Sequence, residues 1–178
     1  MAGYGWRGMS YATTLPHAST RRRSSLHQIS NQKFLPIAHP QALASAPDWA
    51  AFATACGACT RCGLSTARQQ VVISRGHHQA RLMLIGEAPG ATEDAMGEPF
   101  VGRSGQVLDQ LLAEAGLDRS RDVYLGNVVK CRPPDNRKPR AAELAACRPW
   151  LDQQIAWVDP PLIGLLGATA LAGVMGVK

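Results

Sequence analysis

Two short apolar runs constrain this chain more than any other feature. Leu82-Met83-Leu84-Ile85 and Val123-Tyr124-Leu125-Gly126-Asn127-Val128-Val129 lack the polar alternation of a strand with one face in water. Strands of this kind are buried on both faces, as in parallel sheets held between helical layers. A helix pattern separates the two. It starts at Ser104 or Gly105, carries Val107, Leu108, Leu111, Leu112 and Ala115 as one apolar stripe, and stops at Gly116. After the second run, Pro139 opens a helix to about Trp157, with Leu144, Cys147, Leu151 and Ile155 on one side. Pro161–Leu166 makes a third strand, and Gly167-Ala168-Thr169-Ala170 begins another helix. The alternation predicts an α/β fold, a three-layer α/β/α sandwich with a parallel central sheet. In such a sheet ligands bind outside the carboxyl ends of the strands. Here those ends run into Gly86-Glu87-Ala88-Pro89-Gly90 and Lys130-Cys131-Arg132-Pro133-Pro134.

The 178 residues suit one domain with a real core. Residues 1–47 hold five basic residues (Arg7, Arg21, Arg22, Arg23, Lys33) and no acid, and show no sustained periodicity. They read as a disordered basic arm, with an organellar transit peptide as the weaker reading. The folded domain is expected over residues 48–178, from a first helix through Trp49, Phe52 and Ala53. There the charge is nearly balanced, at 14 basic against 13 acidic residues, so the overall net charge of +6 says little about it. Lys130, Arg132, Arg137, Lys138 and Arg140 cluster instead as a local basic patch suited to phosphate. The uncharged run Pro160–Val177 only just reaches the length of a membrane span and is broken by four glycines. A buried strand, a glycine-rich turn and a helix start explain it better, so no membrane association is expected.

Five cysteines, at positions 56, 59, 62, 131 and 147, follow no convincing secretory signal. Their odd number and the spacing Cys56-x-x-Cys59-x-x-Cys62 point to metal binding in a reducing compartment; the expected location is the cytoplasm of a bacterial-type cell. Four thiolates can close a zinc site or hold an iron–sulfur cluster. Cys59 and Cys62 form one chelating pair, and Cys131 and Cys147 flank the proline-rich loop so that they can approach each other. Cys56 could replace Cys59, and the spacing does not separate zinc from a cluster.

Taken in order, these pieces resemble the iron–sulfur uracil-DNA glycosylases, family 4 of that superfamily. The resemblance runs from about Ala58 to Leu171. It rests on Cys59-x-x-Cys62-Gly63-Leu64, Leu84 to Gly90 followed by Glu93-Asp94, and Gly97-Glu98-Pro99-Phe100-Val101-Gly102-Arg103. It continues through Asn127 to Pro134 with Asn136-Arg137, and Cys147-Arg148-Pro149-Trp150-Leu151. It implies a [4Fe–4S] cluster on Cys59, Cys62, Cys131 and Cys147, structural rather than redox-catalytic, with Cys56 spare and zinc the lesser alternative. It also implies a monomeric DNA-repair hydrolase acting on uracil-containing DNA in base excision repair.

The chemistry of individual residues agrees with that activity. A glycosylase takes a base out of the helix and holds it by stacking and edge hydrogen bonds. Phe100 can stack on the extruded uracil. The Asn127 amide can pair with O4 and N3–H, which cytosine presents in reverse. Glu87 can position water for attack at the sugar C1′, where oxocarbenium character develops. Gly86 and Ala88 belong to a loop whose backbone approaches the nucleotide closely. Outside this setting Phe100 would pass for a core aromatic, Asn127 for a turn residue and Glu87 for a cap.

The family carries a further βα unit with a His-Pro-Ser-type motif, whereas this sequence stops at Lys178, and its histidines at 17, 27, 39, 77 and 78 all precede the second strand. The expectation is a domain without its last βα unit, exposing an edge at the third strand. Loss of one donor to the leaving uracil commonly costs about 10²–10³ in rate. A non-catalytic iron–sulfur nucleic-acid-binding module is therefore the alternative reading.

Overall fold

A computed structural model describes residues 48–176. The basic arm expected over residues 1–47 lies outside the described residues.

Four strands form one sheet: β1 (Arg75–Gly76), β2 (Leu82–Gly86), β3 (Val123–Asn127) and β4 (Leu162–Leu165), in the order β1-β3-β2-β4. The three apolar runs supply β2, β3 and β4, all parallel. Leu82 lies beside Val123 and Gly86 beside Asn127, while Leu82 and Ile85 pair on the other side with Leu162 and Leu165. The fourth strand makes the sheet mixed: β1 runs antiparallel to β3, pairing Gly76 with Tyr124. Two residues are too few to leave a periodic signal. What permits the pairing is Gly76, at φ +99°, where a Cβ would lie 2.1 Å from the Val123 carbonyl oxygen.

Successive residues of β2 and β3 point to opposite faces, and each face has its own core. Met83, Ile85, Tyr124 and Val128 pack with Leu151 and Val158 of α4 (Ala141–Val158) and Ala170 of α5 (Ala168–Met175). Leu84, Val123 and Leu125 meet Leu112 of α3 (Arg103–Glu114), with Leu108 beside it. Helices on both faces give the three-layer α/β arrangement. The apolar stripe of α3 is narrower than the sequence predicts. Leu108 and Leu112 face the sheet, but Val107 and Leu111 are 53% and 57% exposed, because one helix on a short sheet buries a single line of side chains.

A third core sits beside the sheet. α1 (Trp49–Gly57) begins at Asp48, whose carboxylate accepts the Ala51 N–H at 2.8 Å. It inserts Phe52 and Cys56 among Leu64, Val129, Trp150, Cys131 and Cys147. At the far side, β4 forms the margin of the sheet among the described residues, leaving Leu162 62% exposed. In the uncharged run, Leu162–Leu165 and Ala168–Met175 are the expected strand and helix, joined by a turn at Gly167. No helix among the described residues is long and apolar enough to cross a membrane.

Leu151 is fully buried between α4 and the sheet, so Leu151→Ala should lower stability by about 2–5 kcal/mol through lost contacts and a residual cavity. Leu162→Ala, at an exposed position, should change it by less than about 0.5 kcal/mol. Urea denaturation of both variants checks the difference.

Candidate functional site

The last register pair of β2 and β3 places Gly86 beside Asn127. A Cβ on Gly86 would lie 2.6 Å from Asn127 Oδ1 and 2.6 Å from Phe100 Cζ. Glycine at this position therefore lets a ring and a side-chain amide from separate segments converge. Asn127 is 3% exposed, and its side-chain amide forms no hydrogen bond among the described residues. Phe100 has φ +56°, a left-handed conformation that costs a non-glycine residue about 1–3 kcal/mol and that persists only when its surroundings impose it.

Glu93, in α2 (Ala91–Met96), draws the flanking loops together. Its buried carboxylate accepts the Gly90 N–H at 3.1 Å and the Gly102 N–H at 2.7 Å, bridging the loop after β2 to the loop that carries Phe100. Glycine at both donor positions leaves room for the carboxylate: a Cβ at either would come within 3 Å of it. The neighbouring Asp94, also buried, accepts backbone N–H groups of Gln69 and Gln70, tying in the segment that leads out of the cysteine region. In the sequence Glu93-Asp94 stands only as part of a motif, and no local pattern signals either of these two roles. Glu87 follows Gly86 directly and is partly exposed, with its carbonyl accepting the Val129 N–H at 3.3 Å. Ala88, in the same loop, packs its methyl against the core that holds Cys131 and Cys147.

Cys56, Cys59, Cys62, Cys131 and Cys147 line a single pocket with Arg68, Lys130 and Trp150. Donors point at three of the sulfurs. Arg68 reaches Cys131 Sγ at 3.2 Å, Trp150 Nε1 reaches Cys59 Sγ at 3.3 Å, and the Lys130 backbone N–H reaches Cys147 Sγ at 3.2 Å. Arg68, which no motif singled out, also donates to the Cys59 carbonyl at 2.7 Å and so closes the cysteine loop. Burial pushes the Cys147 thiol up to about 11, although the Lys130 charge and backbone N–H oppose it. Burial likewise raises Cys131, and Cys56 to about 12. Without an electrophilic ion these thiols hold their protons, and ligation would release them. Among the described residues no three His, Cys, Asp or Glu side chains form a group able to hold a single metal ion. The thiols in this pocket, with N–H groups directed at three of the sulfurs, are donors of the kind that zinc and iron–sulfur groups both take.

Lys130 corrects the sequence reading. It is 1% exposed and is no part of a surface phosphate patch. Its ammonium donates to the Asn127 carbonyl at 2.8 Å and to Gln154 Oε1, while Gln154 Nε2 donates to Tyr124 OH at 2.9 Å and to the Ile73 carbonyl at 3.0 Å. Desolvation lowers its pKa, and the neighbouring thiols pull the other way. Arg132, Arg137, Lys138 and Arg140 remain at least partly exposed. Their loop is ordered by Glu143, which accepts two hydrogen bonds from Arg137 and the Arg140 backbone N–H. His77 is exposed, as expected for a loop residue, and His78 packs its ring 4.1 Å from that of Trp49. Neither belongs to the Phe100–Asn127 site, and His17, His27 and His39 lie outside the described residues.

The domain is thus an α/β/α sandwich in which Phe100 and Asn127 meet at Gly86, where two parallel strands end, with five thiols lining one pocket. Residues 73–177, more than half of the chain, match the profile of the Uracil DNA glycosylase superfamily, and the chain belongs to that family. Over 114 residues it is 50% identical to a type-4 uracil-DNA glycosylase of Thermotoga maritima, covering 64% of this chain and 59% of that one. The corresponding protein of Pyrobaculum aerophilum is 46% identical over 121 residues, covering 66% and 61%, and that of Sulfurisphaera tokodaii 46% over 110, covering 61% and 50%. The chain thus spans about half to three-fifths of the length of these curated relatives.

The Arg137 guanidinium, and then the Arg140 backbone N–H, hold the Glu143 carboxyl down at about 2 from its usual 4.5. A depressed carboxylate stabilises the fold above its unfolded pKa and loses that contribution as pH falls through the folded value. The stability difference between the wild type and Glu143→Gln should therefore be constant above about pH 5 and close between about pH 4.5 and 2. Urea midpoints measured across this range report it.

Proposed function

We propose that this protein is a uracil-DNA glycosylase that hydrolyses the N-glycosidic bond of deoxyuridine in DNA during base excision repair. The convergence of Phe100 and Asn127 on Gly86 carries the reading. A Cβ at Gly86 would strike both the ring and the amide, so the missing side chain is what lets the two stand together at the ends of β2 and β3. An extruded uracil would stack on Phe100, and the unpaired Asn127 amide would meet O4 and N3–H of its edge. The carbonyl of Asn127 is fixed by Lys130, so the amide is presented from a braced backbone. Glu87, next to Gly86, would orient a water toward C1′. The water oxygen bonds to C1′ as the C1′–N1 bond breaks. The bonding pair leaves with uracil N1, and the water proton passes to the carboxylate. The carboxylate also stabilises the oxocarbenium character of the sugar. Gly86 and the backbone of Ala88 would form the floor on which the nucleotide rests.

Cys59, Cys62, Cys131 and Cys147 would hold a [4Fe–4S] cluster, which ties the segment after α1 to the end of β3 and to α4. The shared pocket and the N–H groups aimed at sulfur support a thiolate-held group, and the family resemblance favours a cluster over zinc. Arg132, Arg137, Lys138 and Arg140 would contact DNA phosphates beside the base site. The protein would act as a monomer in the cytoplasm, where thiols stay reduced.

Purified protein should be brown, with broad visible absorbance and bound iron and sulfide, and Cys131→Ser should lose most of both. Colourless protein with zinc alone would exclude the cluster. Asn127→Asp should reduce the preference for a uracil-containing over a cytosine-containing oligonucleotide by at least about tenfold, the worth of one bidentate base contact. Binding and uracil release measured on both substrates test it, and unchanged selectivity would remove the pocket.

A further inference from the structure

Phe100 adopts a conformation that its own chemistry disfavours, so neighbouring groups must impose it. The Glu93 carboxylate fixes the loop at Gly102 and does not touch Phe100 itself. Arg119, in the turn between α3 and β3, does. One arm of its guanidinium donates to the Phe100 carbonyl at 2.7 Å and reaches the Pro99 carbonyl at 3.4 Å, while the other pairs with Asp109. The ion pair is not in its bidentate form: Arg119 Nε and Asp109 Oδ1 are both buried without a partner. The guanidinium is instead turned toward the loop carbonyls. Gly105 completes the seat, because a Cβ there would lie 1.9 Å from the Phe100 carbonyl oxygen. That oxygen is thus pressed onto the first turn of α3 and held by a cation.

Resting on the glycosylase reading, we infer that Arg119 is a positioning residue for base recognition, its fork on the Pro99 and Phe100 carbonyls holding the left-handed loop that sets the Phe100 ring against Gly86 and Asn127. It touches neither base nor sugar and acts through Phe100. Lysine would keep the charge but could not hold two carbonyls and a carboxylate in one plane.

Two measurements on the full chain test this. A crystal structure of Arg119→Met should show Phe100 at negative φ with its ring withdrawn from Gly86, whereas φ near the present value with the ring in place would overturn the inference. Affinity for a single-stranded oligonucleotide containing one uracil, compared with thymine at the same position, supplies a double-mutant cycle. Arg119→Met should lose about tenfold of the uracil preference, on the scale of one charge-assisted hydrogen bond. It should lose nothing further in a Phe100→Ala background. Equal losses in both backgrounds would mean a merely structural Arg119 and overturn the inference. Arg119→Lys, expected between wild type and Met in both readouts, serves if the Met variant fails to fold. If the wild type itself shows no uracil preference, the glycosylase reading falls, and the loop conformation in the variant crystal decides the role of Arg119 alone.

Discussion

Slide β2 by one residue along β3 and Gly86 no longer lies beside Asn127, every side chain of β2 changes face, and both cores are lost. The parallel register from Leu82–Val123 to Gly86–Asn127 is therefore the constraint on which the rest depends. It is fixed on one face by Met83, Ile85 and Tyr124 against α4 and α5, and on the other by Leu84 and Leu125 against α3. Burial on both faces makes it costly to change. The same pairing carries past the regular strand, where Val128 and Val129 donate to the Gly86 and Glu87 carbonyls. The loop after β2 is thus bound to the extension of β3 before any ligand arrives.

Lys130 links this register to the thiol pocket. Its backbone N–H points to Cys147 and its ammonium to the Asn127 carbonyl. A fully buried ammonium is expensive unless acceptors offset its desolvation. Here Asn127 and Gln154 supply oxygens, and Gln154 passes the connection to Tyr124 and Ile73. A structural cluster in the pocket and a precisely held amide in the base site would therefore share one residue. On this view the cysteines would matter to recognition through geometry, without any redox step.

Much of this was legible in the residues themselves. Continuous apolar runs announced β2, β3 and β4, and with them the place of Gly86 and Asn127 at the strand ends. Other parts left no trace. β1 is two residues long and rests on the backbone freedom of Gly76. Val107 and Leu111 had the period of a core stripe, but a helix against a short sheet leaves them in solvent. Lys130 looked like surface charge because it falls in sequence with Arg132, Arg137, Lys138 and Arg140; only the fold shows that it points inward. Arg119 and Arg68 act through backbone carbonyls across loops, and no local pattern encodes such contacts. The left-handed Phe100 was equally silent, since an aromatic residue gives no warning of positive φ.

The most direct test is a crystal structure of the protein bound to a short single strand containing one deoxyuridine. The account predicts the uracil ring stacked on Phe100, its O4 and N3–H on the Asn127 amide, and Glu87 on the C1′ side of the base. A uracil seated elsewhere, or Phe100 and Asn127 left untouched by it, would contradict the account.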